Sequence, residues 1–416
     1  PAGVPQTSLP GREWHPALSA DGSKLAFVWG GPDGQDVQLH LKQSEGATTL
    51  QLTDLPGWIA WPAWSPDGQT VAFVQVEDTL GVICTVSAIG GPVRRLASVP
   101  WPVEGLDWSP DGARLAYSAR PVAGGAQRLF LLALDTLESA PLPLPGTGAV
   151  GHIQPRFSPD GSRLAWIGRD PAGTAGIFLA ELGQPRVTEA LRGLADLQGF
   201  AWTATGREFV YSAAPAGVFN LWRVPVTGGR VDWIPTPGGF AWNPTIARAT
   251  GELVCEQVEF DQDIWRIEIQ GQDPRQLATG PQIQSTRWES EPDFSPDGAS
   301  IVFVSTRSDH PELWVTGAAG GQPRQLTELR AAGLSNPRWS PDGKTIACNA
   351  VREGVVGVLL VEAGGGPARD LDGRAGQEVF SAWTRDGQGL LVADDRSGSW
   401  QVYRRSLQGD QPRRLT

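Results

Sequence analysis

Pro62-Ala63-Trp64-Ser65-Pro66-Asp67-Gly68-Gln69-Thr70-Val71-Ala72-Phe73-Val74 reads as a short strand closing on an aromatic, a tight turn and a second strand. Proline presets φ at the second turn position, aspartate can bond its own backbone and glycine accepts positive φ. Val71 and Phe73 then alternate with smaller residues, as a packed strand requires.

The unit recurs along the chain. With the apolar residue before the turn as anchor, the copies centre on Leu18, Trp64, Trp108, Phe157, Trp202, Ile246, Phe294, Trp339 and Trp383. Nine residues after each anchor comes a second core position: Phe27, Phe73, Tyr117, Trp166, Tyr211, Cys255, Phe303, Cys348 and Val392. A fixed period of roughly 40–45 residues with a turn signature and short strands marks a propeller blade. A third strand (Asn220-Leu221-Trp222-Arg223-Val224), a glycine turn (Gly228-Gly229) and a fourth strand (Pro323-Arg324-Gln325-Leu326-Thr327) complete the grammar in one copy or another. The expected fold is all-β: one propeller domain over 1–416, of nine four-stranded antiparallel blades. Rings of four to eight blades are the usual range, so eight blades plus a loose repeat is the alternative.

Two features sit outside the period. Arg248-Ala249-Thr250-Gly251 replaces the usual turn in the sixth repeat, moving its glycine one position along. Gln6-Thr7-Ser8-Leu9-Pro10-Gly11 parallels Leu52-Thr53-Asp54-Leu55-Pro56-Gly57, so a surplus outer-strand segment precedes the first blade. Loop-closure entropy favours the nearby C-terminal segment over this distant one as the last strand of the ninth blade. The N-terminal piece is then expected to pack as a lesser latch.

Composition narrows the function. Net charge is −11, from 34 basic and 45 acidic residues, which opposes tracking along phosphates. The sequence offers no apolar run long enough to span a membrane and no signal peptide. The chain starts at proline and contains no methionine, which suggests a processed or re-engineered segment; compartment is left unassigned. Cys84, Cys255 and Cys348 occupy apolar strand positions and read as three buried thiols rather than a disulfide framework.

The repeated Trp-Ser-Pro-Asp-Gly, the strand of Leu/Ile-Ala-Phe type after it and the closing Pro-Arg-Arg-Leu-Thr resemble TolB-like, WD-repeat-like bacterial propellers. Over nearly its whole length the chain is similar to propellers appended to winged-helix regulators and Ser/Thr kinases. That resemblance implies a propeller used for protein contacts or sensing. The chain departs from TolB in having more repeats and no second domain, and from propeller-bearing prolyl peptidases in lacking a hydrolase domain.

Chemistry is sparse. A serine hydrolase elbow, Gly-x-Ser-x-Gly, does not occur. His15, His40, His152 and His310 show no zinc-type paired spacing. Asp261-Gln262-Asp263 and Asp394-Asp395 lack the spaced ligands of a calcium loop. No catalytic residue, metal or cofactor is expected. The variable positions just before the anchors, on the innermost strand, are where a propeller would place contacts. They nominate His15, Trp61, Asp107, Arg156, Glu291, Asp293 and Arg338 as channel-mouth residues. Arg–Asp pairs there could instead satisfy each other between blades. The expectation is a monomeric, non-enzymatic binding or sensing module with protein, peptide or small-ligand contacts and no nucleic-acid or membrane partner. An enzyme with its site at the channel mouth, and a ligand-free scaffold, are the alternatives.

Overall fold

The turn is built as its residues demand. Ser65 Oγ donates to Asp67 Oδ1 at 2.5 Å, and the same oxygen accepts from Gln69 N at 3.0 Å. Ser65 Oγ in turn accepts from Thr70 N at 3.0 Å, and Gly68 closes the turn at φ 64°. The Ser–Asp bond repeats at 2.5–2.6 Å in the turns starting at Ser109, Ser158, Ser295 and Ser340. Each serine and aspartate therefore has a complete local role.

A computed structural model describes residues 4–408 and 412–416, apart from 45, 47, 122–124, 145–150, 171–173, 185, 195, 216–217, 237–239, 259–261, 270–276, 284, 286, 309, 353–354, 372–377 and 395–399. The acidic stretches at 261–263 and 394–395 thus lie partly outside the described residues. Strands pair antiparallel in chain order. In the first repeat Glu13–Leu18, Lys24–Trp29, Gln38–Gln43 and Thr49–Gln51 make one four-stranded sheet, innermost first. Seven further repeats do the same, whereas the sixth divides into Ala241–Ile246 with Leu253–Gln257 and Ile264–Ile269 with Leu277–Ile283. Phe27, Phe73, Tyr117, Trp166, Tyr211, Phe303, Cys348 and Val392 are buried at the second core position, and Cys255 is half-buried.

The chain forms two compact units: Pro1–Ala213 with Leu221–Ile234 and Ala241–Glu256, and Ala214–Asn220 with Pro235–Phe240 and Gln257–Thr416. In the first unit six inner strands follow one another, ending at Ala241–Ile246, which packs against the first, Glu13–Leu18. Leu18 N donates to Thr245 Oγ1 at 3.4 Å, and Ala249 N to Ala20 O at 2.8 Å. Ala247 joins Leu18, Leu25 and Phe27 in one apolar cluster. A ring of nine would set the first repeat beside the ninth. Within this unit its neighbour is the sixth, because Thr245 and Ala247 supply the polar and apolar halves of that seam.

Of the two terminal segments, the C-terminal one is laddered into a sheet. In the second unit, Arg413–Arg414 pairs with Gln401–Ser406, and Leu415 N donates to Val402 O at 2.8 Å. In the first, Gln6 O accepts from Lys42 Nζ, Thr7 Oγ1 donates to Glu13 at 2.8 Å and Leu9 packs on the Leu18 cluster, without forming a strand.

Candidate functional site

Inner strands are not smooth. In the first, second, fourth and fifth repeats the ladder slips between Trp14 and Ala17, Ala60 and Ala63, Ile153 and Arg156, and Leu197 and Phe200. The slip centres three residues before the anchor, where the backbone turns left-handed: His15 φ 52°, Trp61 55°, Gly105 108°, Gln154 51°, Gly199 139° and Asn243 44°. In the second unit Glu291 (53°) and Asn336 (52°) repeat it. Such bulges re-aim one side chain, and proline follows in most copies because the slipped position needs no ladder donor. Gly105 has a further reason: a Cβ there would lie 2.5 Å from Gln154 Cα.

In the first unit the bulges form one layer. His15 and Trp61 stack with ring centroids 4.0 Å apart and planes 19° apart, and Trp61 N donates to His15 Nδ1 at 3.4 Å. Glu256 Oε1 accepts from His15 N at 2.5 Å and from Asn243 Nδ2 at 2.8 Å. Burial, then the charges of Arg156 and Arg12, push the His15 imidazole down to about 3. It is therefore neutral at ordinary pH. Burial raises Glu256 above the usual carboxylate range against the donors that hold it.

The next layer lines a central cavity of about 90 Å³, bounded by all six inner strands. Asp107, Arg156 and Arg248 are its charged lining residues. Asp107 Oδ2 accepts from Phe157 N at 2.7 Å and from Arg248 Nη2 at 3.4 Å. Arg156 Nη1 donates to Leu106 O at 2.8 Å. An Arg–Asp pair between blades is present, formed by Asp107 with Arg248 of the sixth turn, while the same carboxylate takes the next blade's backbone amide.

The remaining candidates lie in the second unit, where Asp293 and Glu291 bond to the following repeat and Arg338 bonds within its own. Trp339 N donates to Asp293 Oδ2 at 2.9 Å, Asn336 N donates to Glu291, and Arg338 Nη1 donates to Pro337 O at 2.8 Å. The structure brings together His15 with Trp61 and Asp107 with Arg156. Sequence reasoning missed Glu256 and Arg248. Arg248 carried a legible signal, since it breaks the turn rule; Glu256 carried none. Of the other histidines, His40 is buried beside Phe27 and Trp29, and half-buried His152 accepts from Trp166 Nε1 at 3.0 Å.

No protein-family model matches the sequence. An uncharacterized peptidase, YuxL of Bacillus subtilis, is 29% identical over 145 residues, which is 33% of this chain and 20% of that protein. A TolB homolog of Chlorobium luteolum is 29% identical over 27% of this chain and 25% of its own length. The chain thus spans about a fifth to a quarter of these two relatives. Among solved structures, TolB of Acinetobacter baumannii superposes with a TM-score of 0.47 at 17% identity, over 52% of this chain and 53% of its own. The expectation that this protein is not an enzyme does not survive the match to a protein named a peptidase. The turns and four-stranded antiparallel sheets are those of an all-β propeller, and over part of its length the chain is similar to a TolB homolog.

Proposed function

We propose that this propeller engages polypeptide at the bulge layer of its first unit and serves a peptidase-type protein. One observation carries the reading. A single left-handed backbone position recurs from blade to blade while its side chain changes: His15, Trp61, Gln154 and Asn243, with gaps at Gly105 and Gly199. The next residues along, Pro16, Pro62 and Pro244, line the central cavity. Constant backbone with varied side chains is how a scaffold presents recognition groups. Aromatic faces and amides are the chemistry that peptide groups bind. The peptidase name of the Bacillus subtilis relative favours polypeptide over a small metabolite.

Anisotropy of fluorescein-labelled denatured casein, followed alongside release of new amino termini, tests this. Binding weakened about fivefold or more in Trp61→Ala, whose ring stands on a left-handed residue at the layer, is expected. Casein that neither binds nor is cut, with the protein folded by circular dichroism, would reject it.

A further inference from the structure

Within the first unit two arginines stand where its other copies carry none, and both line one cavity; in the second unit Arg338 and Arg385 take the same two repeat positions. Two residues after the anchor, the first unit's other copies carry Ala20, Pro66, Pro110, Pro159 and Ala204; the sixth carries Arg248. One residue before the anchor they carry Ala17, Ala63, Asp107, Ala201 and Thr245; the fourth carries Arg156. Local rules broken without a structural need mark functional positions. Arg248 is not required for its turn, which closes through Gly251 N to Ala247 O at 2.9 Å.

We propose that Arg156 and Arg248 form a receptor for one carboxylate, carried on the narrow end of a polypeptide, its C-terminus. Two guanidiniums line the cavity against a single carboxylate, Asp107. That carboxylate already takes the Phe157 amide and Arg248. Arg156 is left with the Leu106 and Pro155 carbonyls through Nη1 alone, among the described residues. Burial pulls Arg156 below its usual value, Asp107 opposes this and Arg248 adds to it. The cavity lining thus holds two guanidiniums against one carboxylate, a net charge of one positive unit. His15 above it is neutral and offers no competing charge.

Size selects the ligand. About 90 Å³ admits a carboxylate with one or two small residues and excludes a folded surface or a drug-sized molecule. A planar carboxylate matches the fork geometry of guanidinium. The overall charge of −11 repels anions at long range, but salt near 0.1 M screens that field beyond about 10 Å, leaving the local pair to decide.

The inference shares its ligand class with the proposed function but rests on other residues, and its test needs no casein. Titration calorimetry compares trialanine, trialanine amide and acetate as probes at 0.1 M salt. Trialanine is expected to bind at least about tenfold more tightly than its amide, since the charged pair is lost with the carboxylate. Arg248→Gln, at a partly exposed turn, should lower that affinity about tenfold in protein shown to be folded by circular dichroism. Arg156→Gln should do the same; should it fail to fold, Arg248→Gln decides alone. Equal affinity for trialanine and its amide, or wild-type affinity in Arg248→Gln, overturns the proposal. Acetate binding as tightly as trialanine overturns the polypeptide source, while weaker acetate binding with competition supports it. A failure of casein binding with trialanine bound leaves this site standing and sinks only the layer above.

Discussion

A tryptophan at the anchor does more than fill space. Trp64 Nε1 donates to Ala17 O at 2.8 Å, Trp202 to Arg156 O at 3.0 Å, Trp339 to Asp293 O at 3.2 Å and Trp383 to Arg338 O at 3.0 Å. Each indole thus ties one blade to the innermost strand of the blade before it. Trp108 is different, because its indole donates to Gly112 O of its own turn at 3.2 Å. Trp64→Phe should therefore cost about 1–3 kcal/mol, through an orphaned carbonyl, and Trp108→Phe less, which urea denaturation can rank. Not every anchor is sheltered. Trp64, Trp108 and Trp202 are buried, Trp339 and Trp383 are half-buried and Phe294 is 52% exposed. The tryptophan anchors are thus buried in the first unit and half-buried in the second.

His15 makes a second residue-scale prediction. Its folded value near 3 lies below the ordinary 6.5, so the unfolded chain takes up this proton first as pH falls. Above 6.5 the group costs nothing; between 6.5 and 3 it lowers stability by up to about 1.4 kcal/mol per pH unit. His15→Gln should flatten the pH dependence of unfolding in that window, and a slope unchanged from wild type would contradict the placement. Burial also pushes the thiols up, to about 11 for Cys84 and Cys255 and about 12 for Cys348. A disulfide reagent at pH 8 should label them slowly in the folded protein, with half-buried Cys255 fastest.

At the scale of the element, turn and bulge divide the work of an inner strand. The turn is the same in most copies because one serine oxygen serves two partners. Ser109 is 1% exposed, donates to Asp111 at 2.5 Å and accepts from Arg114 N at 2.9 Å. Ser109→Ala should cost about 1–2 kcal/mol in chemical denaturation, more than removing the exposed Thr205 hydroxyl from the fifth turn. The bulge, by contrast, fixes only its backbone. Its side chains run from imidazole to indole to amide, so substitution there should move ligand binding more than stability.

For the whole molecule, the two chain ends are unequal. The C-terminal segment is laddered through Tyr403–Arg414 and Arg404–Arg413 and bonded again through Val402 N to Thr416 Oγ1 at 2.9 Å. The N-terminal segment has side-chain bonds and the half-buried Leu9. Deleting residues 412–416 should lower the melting temperature more than deleting 1–9, and the reverse ranking would show that the N-terminal piece is a structural strand.

Most of the fold was legible in the sequence, because turns and core positions are local or strictly periodic. Ser65-Pro66-Asp67-Gly68 declares its own geometry, and Phe73 declares its face by spacing from Trp64. The seam and the site were not. That Leu18 meets Thr245, that Asp107 answers Arg248 rather than Arg156, and that Glu256 holds His15 are contacts between residues 141 to 241 positions apart. The period places every inner strand yet carries no information about which repeat returns to the first. Only packing decides that, by finding the strand whose hydroxyl and small apolar residue fit against Leu18.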